Sequence, residues 1–280
     1  MLRTKLMRAL AAPAVALAVA FGSVILAPAA DAVIGGSPNK EPSVAIVVVG
    51  NTLCTGTLIA SQAVLTAKHC LAYQGTIAVG VGGQTFAVTR ANAHPDVDLA
   101  VLHLDRPASV APIALNPTNL GESTVGEMSG YGAAGTQILT TDYALNAAVR
   151  VNRRVVNVPS PDRGAVMLEA LVSHGRGHQG DSGGPLMVGG QLAGVLSMTT
   201  DTGTGAFFIP VAENLQWIAT TAGIPVPSAI GTALPLIDAT EYPTQYPNPT
   251  APALGISEIE GIFNNGLGSL SSLSSANSSS

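Results

Sequence analysis

What most constrains this chain is a succession of short apolar runs, rich in β-branched residues and each cut off by a turn signal. Ser43–Gly50 reads Ser-Val-Ala-Ile-Val-Val-Val-Gly. Leu53–Ala60, Ala63–Ala67, Thr76–Val81, Thr85–Thr89 and Leu99–Leu104 follow, split by Gly, Asn or Ser-Gln punctuation. After Pro117 the pattern resumes at Val125–Tyr131, Leu145–Val151, Val155–Val158, Ala165–Val172, Leu186–Met198 and Ala206–Val211. Only Ala212–Ala222 has helical spacing, with Leu215, Trp217 and Ile218 on its apolar side. Many short strands with Gly-rich turns predict an all-β sandwich or pair of barrels.

Two segments of different character flank these runs. Arg3, Lys5 and Arg8 form a basic start, residues 9–30 carry no charge, and Ala30-Asp31-Ala32 is a cleavage pattern. This predicts a secretory signal peptide over 1–32, with Pro13 and Pro28 weighing against a retained anchor. No later stretch is apolar enough to span a bilayer, so no stable membrane insertion is expected after cleavage. Residues 225–280 hold seven Pro, ten Ser and no basic residue, which predicts a Pro/Ser-rich disordered tail over 223–280. The globular part is then 33–222, in halves of about 33–116 and 117–222. A chain of that length buries roughly 70% of its unfolded surface.

Charge excludes one class of partner. The formal net charge is -5, and loss of Arg3, Lys5, Arg8 and Asp31 with the leader leaves nine basic and sixteen acidic residues. A nucleic-acid binder needs a basic face, so none is expected here. Two cysteines exclude a disulfide-dense miniprotein and a Cys-rich zinc module. Export permits a disulfide; if Cys54 and Cys70 pair, they close a loop worth roughly 3 kcal/mol in the chain-entropy view. Two buried thiols are the alternative.

Gly180-Asp181-Ser182-Gly183-Gly184-Pro185 is the sharpest chemical signal. A serine hydroxyl is a poor nucleophile unless a base takes its proton and donors hold the resulting oxyanion. Flanking glycines permit a tight turn and leave the Gly180 and Ser182 N–H groups free to point into a site. The Gly-x-Ser-x-Gly pattern also fits a nucleophile elbow, and chain order discriminates. His69, His94, His103, His174 and His178 all precede Ser182, so the order Ser, acid, His has no histidine. The order Asp, His, Ser would need Asp31 for His69 or His94, and that residue leaves with the leader. For His103, Asp96 and Asp98 are too close in sequence to lie on a separate element. His, Asp, Ser survives, with His69, Asp98 and Ser182. Asp96 is the rival of Asp98, but only Asp98 directly precedes an apolar run.

These contexts resemble the trypsin/chymotrypsin family of serine proteases, in its bacterial secreted form. His69 lies in Leu65-Thr66-Ala67-Lys68-His69-Cys70 and Asp98 opens Asp98-Leu99-Ala100-Val101-Leu102. Val33-Ile34-Gly35-Gly36 is similar to the family's mature N-terminus. Cys54-Thr55-Gly56-Thr57-Leu58-Ile59 resembles the strand whose cysteine bridges to the one after the histidine, here Cys70. Phe207-Phe208-Ile209-Pro210-Val211 and Trp217-Ile218 resemble its last strand and C-terminal helix.

The resemblance implies two six-stranded antiparallel β-barrels with a short C-terminal helix and a site between the barrels. It implies a secreted serine endopeptidase acting on protein or peptide substrates, a monomer without cofactor or metal. Ser182 would be the nucleophile, His69 the base, Asp98 its orienter, and the Gly180 and Ser182 N–H groups the oxyanion hole. A freed Val33 amine would pair with Asp181 once the leader is cut, with no zymogen stage. Arg176, six residues before Ser182, falls where the family has the floor of its primary pocket. That disfavours cleavage after Lys or Arg; Arg176 would favour an acidic or small side chain, or else point to solvent. Ser197, Met198 and Thr199 are expected at the pocket edge, offering backbone hydrogen bonds to substrate. His174 and His178 have i,i+4 spacing, but in a Gly-rich loop they make no metal site. A catalytically silent binding protein and an esterase on the same fold are the other readings.

Overall fold

The computed structural model describes residues 33–132, 144–159, 164–241 and 244–245. The leader expected over 1–32 and residues 246–280 of the expected tail lie outside that set.

The first barrel is closed by β2 (Val44–Val49), β3 (Thr52–Ala60), β4 (Ala63–Thr66), β5 (Ile77–Val81), β6 (Gln84–Ala93) and β7 (Ala100–Leu104), in the order β2-β3-β4-β7-β6-β5. Every pairing is antiparallel, and β5 closes onto β2 at Val79 opposite Val47. The second barrel uses β8 (Val125–Gly130), β9 (Leu145–Val156), β10 (Met167–His174), β11 (Pro185–Val188), β12 (Gln191–Thr199) and β13 (Gly205–Pro210). It runs β9-β10-β13-β12-β11-β8 and closes where β8 pairs with β9. Both barrels follow the expected fold class.

Why so many strands read as continuous apolar runs is now clear: several are buried on both faces. Val64 and Leu102 point into the first barrel, packed with Val47 and Phe86. Their neighbours Leu65 and Val101 point outward, into a cluster with Met167, Leu192, Ile209 and Ile218 of the second half. On β13 Phe207 and Ile209 join that shared cluster, while Ala206 and Phe208 fill the second barrel. The period-2 alternation of a strand thus serves two cores at once, and the shared one holds the halves together.

Several boundaries differ from the sequence expectation. The run Leu186–Met198 is two strands, folded back at Gly189 and Gly190, whose φ values are +59° and +76°. Two apolar runs join the other way, into the twelve-residue β9. Its ends outreach β8 and β10, and two unforeseen strands cover them: β1 (Ser37–Pro38) at Asn146 and Leu145, and the parallel β14 (Leu236–Asp238) at Arg154–Val156. An uncovered strand edge is a template for unwanted pairing.

The expected tail boundary at 222 therefore shifts. Helix α1 (Val211–Ala222) ends at Gly223 with φ +72°, where Ile224 N–H donates to Ala219 O at 3.0 Å. The chain then crosses the second barrel: Ile230 N–H donates to Pro117 O at 2.8 Å before β14 forms. Thr244 Oγ1 reaches the buried Glu169 at 2.8 Å, a carboxylate also held by Asn152 and Arg153. Pairing between segments far apart in sequence, not local composition, orders 224–241.

Candidate active site

His69 sits on a short 3-10 turn, Lys68–Ala72, directly after β4. The Cys54–Cys70 disulfide ties that turn to β3, with a Cα–Cα separation of 6.3 Å. Cys54, His69 and Cys70 offer ligand atoms within 4.8 Å of one another, but both sulfurs are consumed in the disulfide, leaving no thiolate for a metal.

Asp98, at the start of the β7 run, is 1% exposed. Its Oδ2 lies 2.7 Å from His69 Nδ1, and its Oδ1 accepts the His69 backbone N–H at 2.8 Å. Burial alone would raise this carboxyl. The hydrogen bonds from His69 and Ser197 outweigh burial and hold it below the usual carboxylate range. The rival Asp96 is exposed, its backbone N–H bonded to His94 Nδ1 at 3.1 Å. His94 is given to packing, 4.7 Å from the Trp217 ring, and His103 bonds Asn92 and Arg90.

Sequence reasoning placed Ser197 at the pocket edge for its backbone and missed its hydroxyl, which donates to Asp98 Oδ2 at 2.7 Å. Ser197 is 99 residues from Asp98, so no local pattern signals the contact. Only an inward-facing serine amid the apolar run of β12 could have hinted at it.

Ser182 stands on a turn clamped between the barrels. Its carbonyl accepts the Thr55 N–H from β3 at 2.8 Å, and the Gly183 N–H donates to Leu196 O on β12 at 2.7 Å. Gly183 has φ +83°, and a Cβ there would collide with Thr66 Oγ1 and Thr55 O, so only glycine permits this approach. Thr55 Oγ1 also donates to Gly180 O at 2.9 Å. With Gly180 at φ +101°, neither the Gly180 nor the Ser182 N–H has an acceptor among the described residues. Ser182 lines a cavity of about 340 Å³ together with Ser197, Met198 and Thr199. His178 also lines it, while His174 is exposed.

Asp181 is fully buried and accepts backbone N–H hydrogen bonds from His178 and Gly132, each at 2.8 Å, and from Val33. Burial pushes its carboxyl up to about 7 against the lowering effect of those donors. Val33 is 0% exposed and has φ +44°, a strained value for a β-branched residue. Arg176 does not point to solvent: it is 3% exposed, bridged to Ile34, and its Nε and Nη2 have no hydrogen-bond partner among the described residues.

A family model described as Trypsin matches residues 33–218. This chain belongs to the trypsin family. The trypsin-family chain is 42% identical over 224 residues to an uncharacterized peptidase of Corynebacterium glutamicum, covering 76% of this chain and 80% of that one. It is 30% identical to snake venom serine proteinase 14 of Crotalus adamanteus, covering 60% of this chain and 77% of that one. In fold it is similar to the human heparin binding protein, at TM-score 0.56 and 23% identity, covering 70% of this chain and all of that one. No helix among the described residues is long and apolar enough to cross a membrane.

Proposed function

We propose that this trypsin-family chain is a secreted serine endopeptidase that cleaves protein or peptide substrates through an acyl-enzyme. The observation that carries the reading is the Asp98 carboxylate, buried and held at 2.7 Å by both His69 Nδ1 and Ser197 Oγ, with Ser197 lining the same cavity as Ser182.

Ser182 Oγ attacks the peptide carbonyl carbon as His69 Nε2 takes the hydroxyl proton. Asp98 fixes the His69 tautomer and stabilises the imidazolium. The Gly180 and Ser182 N–H groups, without an acceptor among the described residues, receive the oxyanion. His69 then returns its proton to the leaving nitrogen, the C–N bond breaks, and the acyl group stays on Ser182. Water repeats the cycle: its oxygen bonds to the acyl carbon and its proton passes through His69 to Ser182 Oγ. One water is consumed, one acid and one amine released.

Export is part of the proposal. The Cys54–Cys70 disulfide suits an oxidising compartment. Removal of residues 1–32 would free the Val33 amine beside Asp181, whose carboxylate it would pair.

The test is a peptidase assay on the secreted protein with Ser182→Ala alongside, together with fluorophosphonate labelling and N-terminal sequencing. Hydrolysis and labelling in the native protein, both lost in the variant, with Val33 as first residue, support the reading. An unlabelled Ser182 in the folded, processed protein would exclude it. Amide and ester substrates compared at one concentration separate a peptidase from an esterase.

A further inference from the structure

His94 takes no part in the proposed chemistry, yet it grips the chain on both sides of Asp98. Its backbone N–H donates to Leu99 O at 2.8 Å. Its ring Nδ1 accepts the N–H of Asp96 at 3.1 Å and that of Val97 at 3.2 Å. Val97 and Leu99 are the chain neighbours of Asp98, so both are tied to one histidine. Between them Leu99 N–H donates to Val97 O at 2.8 Å, a three-residue turn with Asp98 at its apex. So tight a turn passes any movement of Val97 on to the carboxylate.

The ring is held from a distant part of the chain. Trp217 of α1 meets it in a T-shaped contact, with ring centroids 4.7 Å apart, and packs on the apolar cluster shared by the two halves. Accepting two N–H groups requires a free lone pair on Nδ1, so the ring hydrogen sits on Nε2 and the imidazole is neutral. Protonation sets a donor against two donors and breaks both bonds. Half-burial favours the neutral ring most; the exposed Asp96 carboxylate opposes it, and the Lys68 ammonium, from the 3-10 turn that carries His69, reinforces it. From α1 the ring is met by the uncharged Trp217 indole.

We propose that His94 is a positioning residue that acts through Asp98: its neutral ring fastens the turn carrying the orienter of His69, and its protonation releases that turn. This rests on the peptidase reading above. The folded ring holds its proton less tightly than the ordinary value of 6.5. The hold is therefore complete above 6.5 and is lost as pH falls through the folded value.

Two substitutions divide the duties of the ring. His94→Phe keeps an aromatic ring against Trp217 and removes the acceptor. His94→Asn supplies an amide oxygen at the distance of Nδ1 along the side chain and does not titrate. The experiment measures kcat and KM of the processed wild-type protein and both variants on one peptide, normalised to the Ser182 that a fluorophosphonate labels at completion. Asp98 is 1% exposed and meets no substrate, so the effect belongs in kcat. At pH 8, His94→Phe is expected to lower kcat by about tenfold with KM little changed, and His94→Asn to restore most of that loss. Below 6.5, wild-type kcat/KM is expected to fall at least about threefold further than that of His94→Asn. His69 is common to both proteins, so their ratio reports His94 whether or not the Phe variant folds. Full kcat in labelled His94→Phe, or a ratio that stays constant with pH, overturns this assignment alone. Wild-type protein that never labels overturns the peptidase reading and this assignment with it.

Discussion

Ser197 donates its hydroxyl hydrogen to Asp98 Oδ2 at 2.7 Å, the same oxygen that lies 2.7 Å from His69 Nδ1. One carboxylate, on the first barrel, is thereby held by a side chain from each half. The alignment of His69 then depends on the docking of the barrels, which the shared apolar cluster maintains.

Ser197→Ala should loosen that carboxylate without unfolding the chain. A hydrogen bond to a charged group is worth about 1.5–3 kcal/mol, so kcat/KM and the rate of Ser182 labelling should each fall by roughly 10- to 100-fold. A pH arm separates positioning from mere packing. The Asp98 carboxyl is held low, so its stabilisation is present above its unfolded value and lost as pH falls through the folded one. Without Ser197 the folded value rises, and acid unfolding should begin at higher pH. Unchanged activity would remove Ser197 from the site.

Asp181 gives the uncut chain a distinctive pH dependence. Its carboxyl is raised from 3.8 to about 7. The folded state then binds the proton more tightly than the unfolded one. Stability is greatest below the unfolded value and falls as pH climbs toward about 7, by at most about 4 kcal/mol. A freed Val33 ammonium favours the ionised carboxylate and cancels that loss. Cutting also removes the carbonyl that makes φ +44° costly at Val33, a strain of about 1–3 kcal/mol. Melting curves from pH 4 to 7 should show the processed protein ahead at pH 7 and the gap narrowing toward pH 4. Parallel curves would show that no new ion pair forms.

Replacing both Cys54 and Cys70 with Ala should cost roughly 3 kcal/mol in denaturant unfolding, the loop-closure value for a bridge of this span. Because Cys70 follows His69 on the same turn, activity per folded molecule should fall as well. Loss of stability with full activity would show that the turn holds His69 by itself.

A chain stopped after Gly223 loses β14 and the Thr244–Glu169 contact. Glu169 is 1% exposed and would forfeit one partner, while the end of β9 becomes a bare edge. Thermal stability should drop by about 1–3 kcal/mol, with Ser182 labelling retained, because among the described residues none beyond 223 lines its cavity.

The sequence alone located most of the apolar segments that build the barrels and suggested the candidate chemistry, because both signals are local. Apolar runs, turn glycines and the six residues around Ser182 each carry their meaning within a few positions, and chain order then left one pairing of histidine and acid. It merged β11 with β12 and divided β9, since an apolar run does not say where hydrogen-bond partners begin and end. Tertiary structure alone decided the rest: the Ser197 contact with Asp98, the burial of Arg176, and the return of 224–241 across the second barrel. Each joins residues far apart along the chain. Whether a polar group there is paired, stranded or solvated depends on which surfaces the two barrels bring together.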